Sequence, residues 1–194
     1  LLGLDSMAAL AFDTDNFSLE ETCLDFPAAG AVCLEVDLRR EILKLDFRLD
    51  DVPLEITHLF TDHDIEFTQR LNGSARWHQS PGIKPSGNLE IVISAGQFGE
   101  AGDEDRMAST GEGFLGFRLE EGDLTAGQFD ITFPGAGGLI DIDFTIDGVA
   151  LDGTGKVAGS ALIELETLAF LDGLTGYVDG INGSLSSKLS LSGR

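Results

Sequence analysis

The sequence predicts an all-β protein, a meandering antiparallel sheet of amphipathic strands with one or two short helices. Three observations predict it. Apolar and polar residues alternate with period two in segment after segment, which puts every second side chain on one face of a strand. The 25 glycines lie mostly between those segments, where they mark turns and bends. Only two short stretches carry any helical signal. Taken alone, such strands suit a closed β-sandwich or barrel, in which the dry faces pack on each other. A single curled sheet with an apolar trough is the other way to arrange them.

The elements follow in chain order. Leu34, Val36 and Leu38 form a short alternating run. Leu43, Leu45, Phe47 and Leu49 alternate with Lys44, Asp46 and Arg48, a strand with one dry face and one wet face. From Asp50 to Phe60, acidic residues stand ahead of Pro53, the composition of a helix start, so a short helix is expected over Pro53 to Phe60. Trp77 and His78 stand at a strand end before the turn chemistry of Pro81-Gly82. Leu89, Ile91, Ile93 and Ala95 make the next alternating run, and Gly96 to Gly113 reads as a longer, looser loop with an acidic tip. Phe129, Ile131 and Phe133 alternate in turn. After the Gly135-to-Gly138 turn, Ile140, Ile142, Phe144 and Ile146 alternate with Asp141, Asp143, Thr145 and Asp147. Leu168 to Leu174 is the second helical candidate, and Ile181, Gly183, Leu185, Ser187, Leu189 and Leu191 form the last run. The tetrapeptides Leu71-Asn72-Gly73-Ser74 and Ile181-Asn182-Gly183-Ser184 are nearly identical. Each follows a strand and a helical hint, so a unit repeats at about 43–77 and 162–193.

Composition narrows the function. Lys and Arg number 12 against 34 Asp and Glu, a formal charge of −22 that repels a phosphate backbone and excludes nucleic acid as a natural partner. The 13 Phe against one Trp and one Tyr supply apolar area without a polar handle. No apolar run approaches the roughly 20 residues that span a bilayer, so any anchor is expected outside this segment. The chain is read as one segment, 1–194, of a larger protein. Cys23 and Cys33 flank the turn-forming stretch Phe26-Pro27-Ala28-Ala29-Gly30, which sets them facing across a reversal. In an oxidising compartment they are expected to form a disulfide, and in a reducing one to be two thiols.

Nothing in the sequence assembles an enzyme or a resident cofactor. His58 and His63 are five residues apart, the wrong spacing for two metal ligands on one helical face, and with Asp62 and Asp64 they read as an exposed helix end. Asp103-Glu104-Asp105 lacks the alternating ligands of a calcium loop. Gly153-Thr154-Gly155-Lys156-Val157 fails as a phosphate loop, because Ala150 stands where the first glycine belongs and Val157 where a hydroxyl is needed. No metal site is expected.

The run Ile163-Glu164-Leu165-Glu166-Thr167-Leu168-Ala169-Phe170-Leu171, then Gly180 to Leu185, then Leu189 to Gly193, resembles the TamB family of AsmA-like bridge proteins. The stretch from Cys23-Leu24 to Cys33-Leu34-Glu35, with Val52-Pro53-Leu54 and Leu71-Asn72-Gly73, is similar to an interior part of that family. The resemblance implies a curled sheet, the β-taco, whose apolar groove carries phospholipid between inner and outer membranes and serves outer-membrane protein assembly. It implies a periplasmic location in a Gram-negative cell, an inner-membrane anchor elsewhere in the full protein, and a TamA-like Omp85 barrel as partner. It favours the trough over the sandwich. The groove-lining residues are then Leu43, Leu45, Phe47, Leu89, Ile91, Ile93, Phe129, Ile131, Phe133, Ile140, Ile142, Phe144, Leu185 and Leu189, and the partners in the groove are phospholipid acyl chains. The competing reading is a closed, secreted β-barrel or sandwich binding module, or a structural surface subunit.

Overall fold

The structure, a computed structural model, describes residues 3–4, 9–26, 30–55, 65–100, 102, 107–147, 156–169 and 180–193. Fifteen strands carry these residues: β1 (Gly3–Leu4), β2 (Leu10–Phe12), β3 (Asn16–Asp25), β4 (Ala31–Arg39), β5 (Ile42–Pro53), β6 (Ile65–Phe67), β7 (Arg70–Ser80), β8 (Ile83–Ile93), β9 (Gly96–Glu100), β10 (Ala108–Thr110), β11 (Gly113–Glu120), β12 (Asp123–Phe133), β13 (Gly138–Asp147), β14 (Lys156–Leu165) and β15 (Leu185–Gly193). No α-helix occurs among the described residues. Twelve strands form one antiparallel sheet in the order β1-β3-β4-β5-β7-β8-β11-β12-β13-β14-β15, with β2 also paired to β3. The sheet does not close into a barrel, and its order is that of the chain. A second, three-stranded sheet has the order β10-β9-β6.

The two helical expectations meet different outcomes along their length. Asp50 to Pro53 belongs to β5, not to a helix start. The acid-acid-Val-Pro signature instead serves a bulge, where the register with β7 shifts between Leu49 and Val52 and Asp51 adopts φ 51°. That left-handed residue is held from three sides. Its N–H donates to Asn72 Oδ1 at 2.9 Å, and Arg70 Nη1 donates to its carbonyl oxygen at 2.8 Å and pairs with its carboxylate at 2.7 Å. Within this stretch helical geometry is limited to a 3-10 turn at Leu54 and Glu55, and residues 56–60 lie outside the described residues. The same is true of residues 170–174 in the second candidate.

The loop expected from Gly96 to Gly113 is in part a sheet. Residues 96–100 are β9 and residues 108–110 are β10, and they pair with each other and with β6. Burial of Phe98, 9% exposed, draws this segment into ordered strands. At the acidic tip, Asp103 to Asp105 lie outside the described residues, as do His58, Asp62, His63, Asp64 and the Gly153-to-Gly155 turn. The two stretches compared in the sequence include the antiparallel pairs β5 with β7 and β14 with β15. Leu71 to Ser74 lies inside β7, while Ile181 to Ser184 immediately precedes β15.

Cys23 and Cys33 are direct cross-strand partners on β3 and β4 and form a disulfide. Cys33 is 2% exposed, and Arg48 on β5 reaches its sulfur at 3.5 Å while pairing with Glu21 at 2.9 Å. The bond is consistent with an extracytoplasmic, oxidising setting. Closing a loop of 10 residues constrains the unfolded chain, so replacing both cysteines by serine should cost about 2–3 kcal/mol. Urea unfolding of the oxidised protein beside the double variant measures it. Equal midpoints would remove the disulfide from the account of stability.

Candidate functional site: a continuous apolar face

Directly opposed residues in an antiparallel ladder point to the same side of the sheet, so the registers decide which side chains share a face. One line of partners runs Val32, Leu49, Gly73, Ile91, Leu115, Phe129, Ile142, Ala161 and Leu189, from β4 to β15 without a polar side chain. The next runs Leu34, Phe47, Ala75, Leu89, Phe117, Gly127, Phe144 and Gly159. A third holds Leu71, Ile93, Gly113, Ile131, Ile140 and Ile163 and ends at Ser187. Leu43 and Leu45 sit on the same side of β5, while Phe133 and Leu185 lie at the far rim. All fourteen residues named from the sequence therefore lie on one face. At about 4.8 Å per strand, a line from β4 to β15 is about 38 Å long.

The opposite face is wet. Lys44, Asp46 and Arg48 on β5 oppose His78, Arg76 and Ser74 on β7, and Gln128 and Ala126 on β12 oppose Asp143 and Thr145 on β13. Ile42, Val92, Phe114, Leu139 and Leu162 are larger apolar residues on that side, and the Phe114 ring covers Gly116. Open clefts lie on this side. One of about 460 Å³ includes Lys44, Asp46, Arg76, His78 and Arg118, and another of about 220 Å³ includes Glu21, Cys33, Arg48 and Ser74. Arg76 pairs with Asp46 at 3.3 Å and Arg48 with Glu21 at 2.9 Å, and the Ser80 hydroxyl lies 3.1 Å from His78 Nε2. Glu21, Cys23 and Cys33 approach one another closely, but the two sulfurs are joined and offer no thiolate to a metal.

Burial distinguishes a trough from a sealed core. Of the fourteen positions only Phe133 is buried, Leu185 and Leu189 are 42% and 52% exposed, and the others are half-buried. Large apolar side chains stay exposed toward both ends of the strand order, Leu10 at 53%, Phe12 at 76% and Leu24 at 41% near the first strands, with Leu185 and Leu189 on the last. The buried cluster is small and local: Phe98, Ala108, Phe133, Ala136 and Leu165, where the three-stranded sheet meets the rim.

Glycines shape the face. Gly73, Gly87, Gly113, Gly127 and Gly159 lie within strands and on the apolar side, not in turns. A Cβ at Gly73 would run into the Glu90 carbonyl of the neighbouring strand, and one at Gly113 would come within 2.9 Å of the Asp130 carbonyl. Adjacent strands thus crowd together on this side, as a sheet does on the inside of a curve. At Gly127 the vacant position is filled by the Phe144 ring, whose centroid lies 6.3 Å from that of Phe117. Sequence reasoning read the glycines mainly as turn markers, and it did not single out Leu115, Phe117, Ala161 or Ile163. Period-two spacing in Gly113-to-Leu119 and Val157-to-Leu165 carries that signal, diluted by glycine and alanine at inward positions.

Comparison of the chain with protein-family profiles, curated proteins and solved structures finds no match to any of them. The function therefore has to be read from the site.

Proposed function

We propose that this chain is a segment of a periplasmic lipid conduit, one that accommodates phospholipid acyl chains along its apolar face, without catalysis and without a cofactor. The observation that carries the proposal is an uncharged face continuous from β4 to β15 that remains half-open to its surroundings. Burying acyl chains there is favourable by about 0.8 kcal/mol per methylene and needs no specific polar contact. The hydrocarbon core of a bilayer is about 30 Å thick, so one monolayer's tails reach about 15 Å, and a line of about 38 Å offers more than one resting place. Equivalent apolar positions on successive strands let a chain shift from one to the next without crossing a polar barrier. The disulfide suits the periplasm. The resemblance to TamB-like proteins adds the wider assignment: transport between inner and outer membranes, outer-membrane protein assembly, an inner-membrane anchor in the full protein and an Omp85 barrel of TamA type as partner.

A photo-crosslinking amino acid placed in turn at Leu45, Phe129, Ile142 and Leu189, and at the outward positions Asn88 and Asp143, tests the conduit. Lipid adducts should form at inward positions only, in cells or with phospholipid vesicles. Absence of an adduct at every inward position would falsify the proposal and leave a ligand-free structural sheet.

A further inference from the structure

Three neighbouring strands of the large sheet continue past its rim. β6 leads into β7 across Thr68 and Gln69, β8 into β9 across Ser94 and Ala95, and β10 into β11 across Gly111 and Glu112. The continuations pair with one another, and none forms a ladder with the large sheet among the described residues. Phe98 and Ala108 pack on Phe133, Ala136 and Leu165, with Ile131, Ile140 and Ile163 beside them. The small sheet is therefore folded over the apolar face along one edge.

The bend line is polar, unlike the packing on either side of it. Gln69 and Thr110 are buried, 3% and 6% exposed, and Gln69 Nε2 donates to Thr110 Oγ1 at 2.9 Å. The other end of that amide, Oε1, is buried with no hydrogen-bond partner. Gln97 N–H donates to Thr68 Oγ1 at 2.7 Å, and Thr68 N–H donates to the Gln97 carbonyl at 2.9 Å. Gly96 and Gly111 permit the close approach: a Cβ at the first would lie 2.9 Å from Thr68 Oγ1, and at the second would meet the Thr132 hydroxyl. A buried carbonyl without a donor disfavours the closed form and is hydrated on opening. The small apolar cluster opposes it. The bend line thus stabilises the closed form less than its burial would suggest, and the apolar cluster is what holds it shut.

We infer that β6, β9 and β10 form a hinged lid that swings about residues 68–69, 94–95 and 111–112 and uncovers Phe133 and Leu165. The motion stands on its own geometry; its use, sideways entry of an acyl chain at the rim, rests on the conduit reading. Phe98→Ala removes the lid's anchor, and Gln69→Met removes the unmet amide at similar volume while Thr110 keeps its contact to the Gly96 carbonyl.

Hydrogen exchange on the whole chain and uptake of pyrene-labelled phosphatidylcholine from phosphatidylcholine vesicles read the two parts separately. Vesicles with neutral headgroups avoid repulsion of a chain of charge −22. Amides of β9 and β10 should exchange together and faster than those of β12 and β13. Phe98→Ala should accelerate them by about tenfold or more and Gln69→Met should slow them, with β12 and β13 unchanged. Uptake rates should follow the same order. The lid is overturned if β9 and β10 exchange with β12 as one unit in wild type and Gln69→Met, whatever Phe98→Ala does to folding. Its role in access is overturned if uptake proceeds at one rate in all the proteins. Exchange in the expected order with no uptake by any protein keeps the lid and removes the conduit.

Discussion

Ile142→Arg should leave the protein folded and abolish lipid labelling at neighbouring inward positions. Ile142 lies mid-sheet between Phe129 and Ala161, half-buried, on the line that crosses from β4 to β15. In an open trough the guanidinium of an unloaded protein reaches water along its own stem, and the stability cost stays at about 1–2 kcal/mol. When an acyl chain arrives, the same charge must be stripped of water, which should lower occupancy by about tenfold or more. A sealed core behaves in the opposite way, since an unpaired buried charge costs about 3–5 kcal/mol and the domain unfolds. Thermal unfolding beside crosslinking from Phe129 separates the two. Phe129→Glu should behave alike, and Asp143→Asn, on the wet face, should change neither reading. An Ile142→Arg protein that unfolds outright, with no lipid adduct from Phe129 in the parent, would return the chain to a closed core.

Gly127→Val should be among the most damaging small substitutions in the sheet. The position left open by Gly127 is occupied by the Phe144 ring, and a Cβ at Gly159 of the next strand would lie 2.8 Å from the Phe144 Cβ. Two added methyls and a Cβ force the ring out of that place and away from Phe117. Overpacking costs about 1–3 kcal/mol, and a β-branched residue next to a displaced aromatic should fall at the upper end. Phe144→Ala alone also destabilises, by removing ring burial. The informative protein is the double variant. If the clash is the cause, Gly127→Val combined with Phe144→Ala costs clearly less than the sum of the two single changes in urea unfolding. Additive costs would mean that the glycine is required for its backbone instead.

The long alternating strands were legible because each carries its own signal. Leu43 to Leu49, Leu89 to Ile93 and Leu139 to Asp147 need no partner to declare a dry face, and β5, β8 and β13 lie over them. The common face of the candidate site was likewise foreseeable strand by strand, while its continuity depends on register, which the turns and bulges set. Asp50 to Pro53 misled because acidic residues before proline suit a helix start and a bulge alike, and only Arg70 and Asn72, distant in sequence, select the bulge. β9 and β10 were read as loop because strands this short, with Gly96 and Gly99 in β9, hold too little periodicity. Their order comes from Phe98 packing on Phe133 and Leu165, contacts no local window contains. The inward glycines were read as punctuation for the same reason: a vacancy filled by Phe144 is a property of two strands.

The agreement between strand order and chain order has a consequence for how the protein is made. From β3 onward each strand of the large sheet pairs with the strand that precedes it in that sheet, so no distant segment has to return before an earlier pair is complete. Loop-closure entropy is then small at every step, and the sheet can grow by successive hairpins as the chain is delivered from one end. Energetics of this type are close to nearest-neighbour sums, as in repeat proteins. Removing β15 should therefore leave β3 to β12 assembled, whereas removing β8 should divide the sheet into two parts.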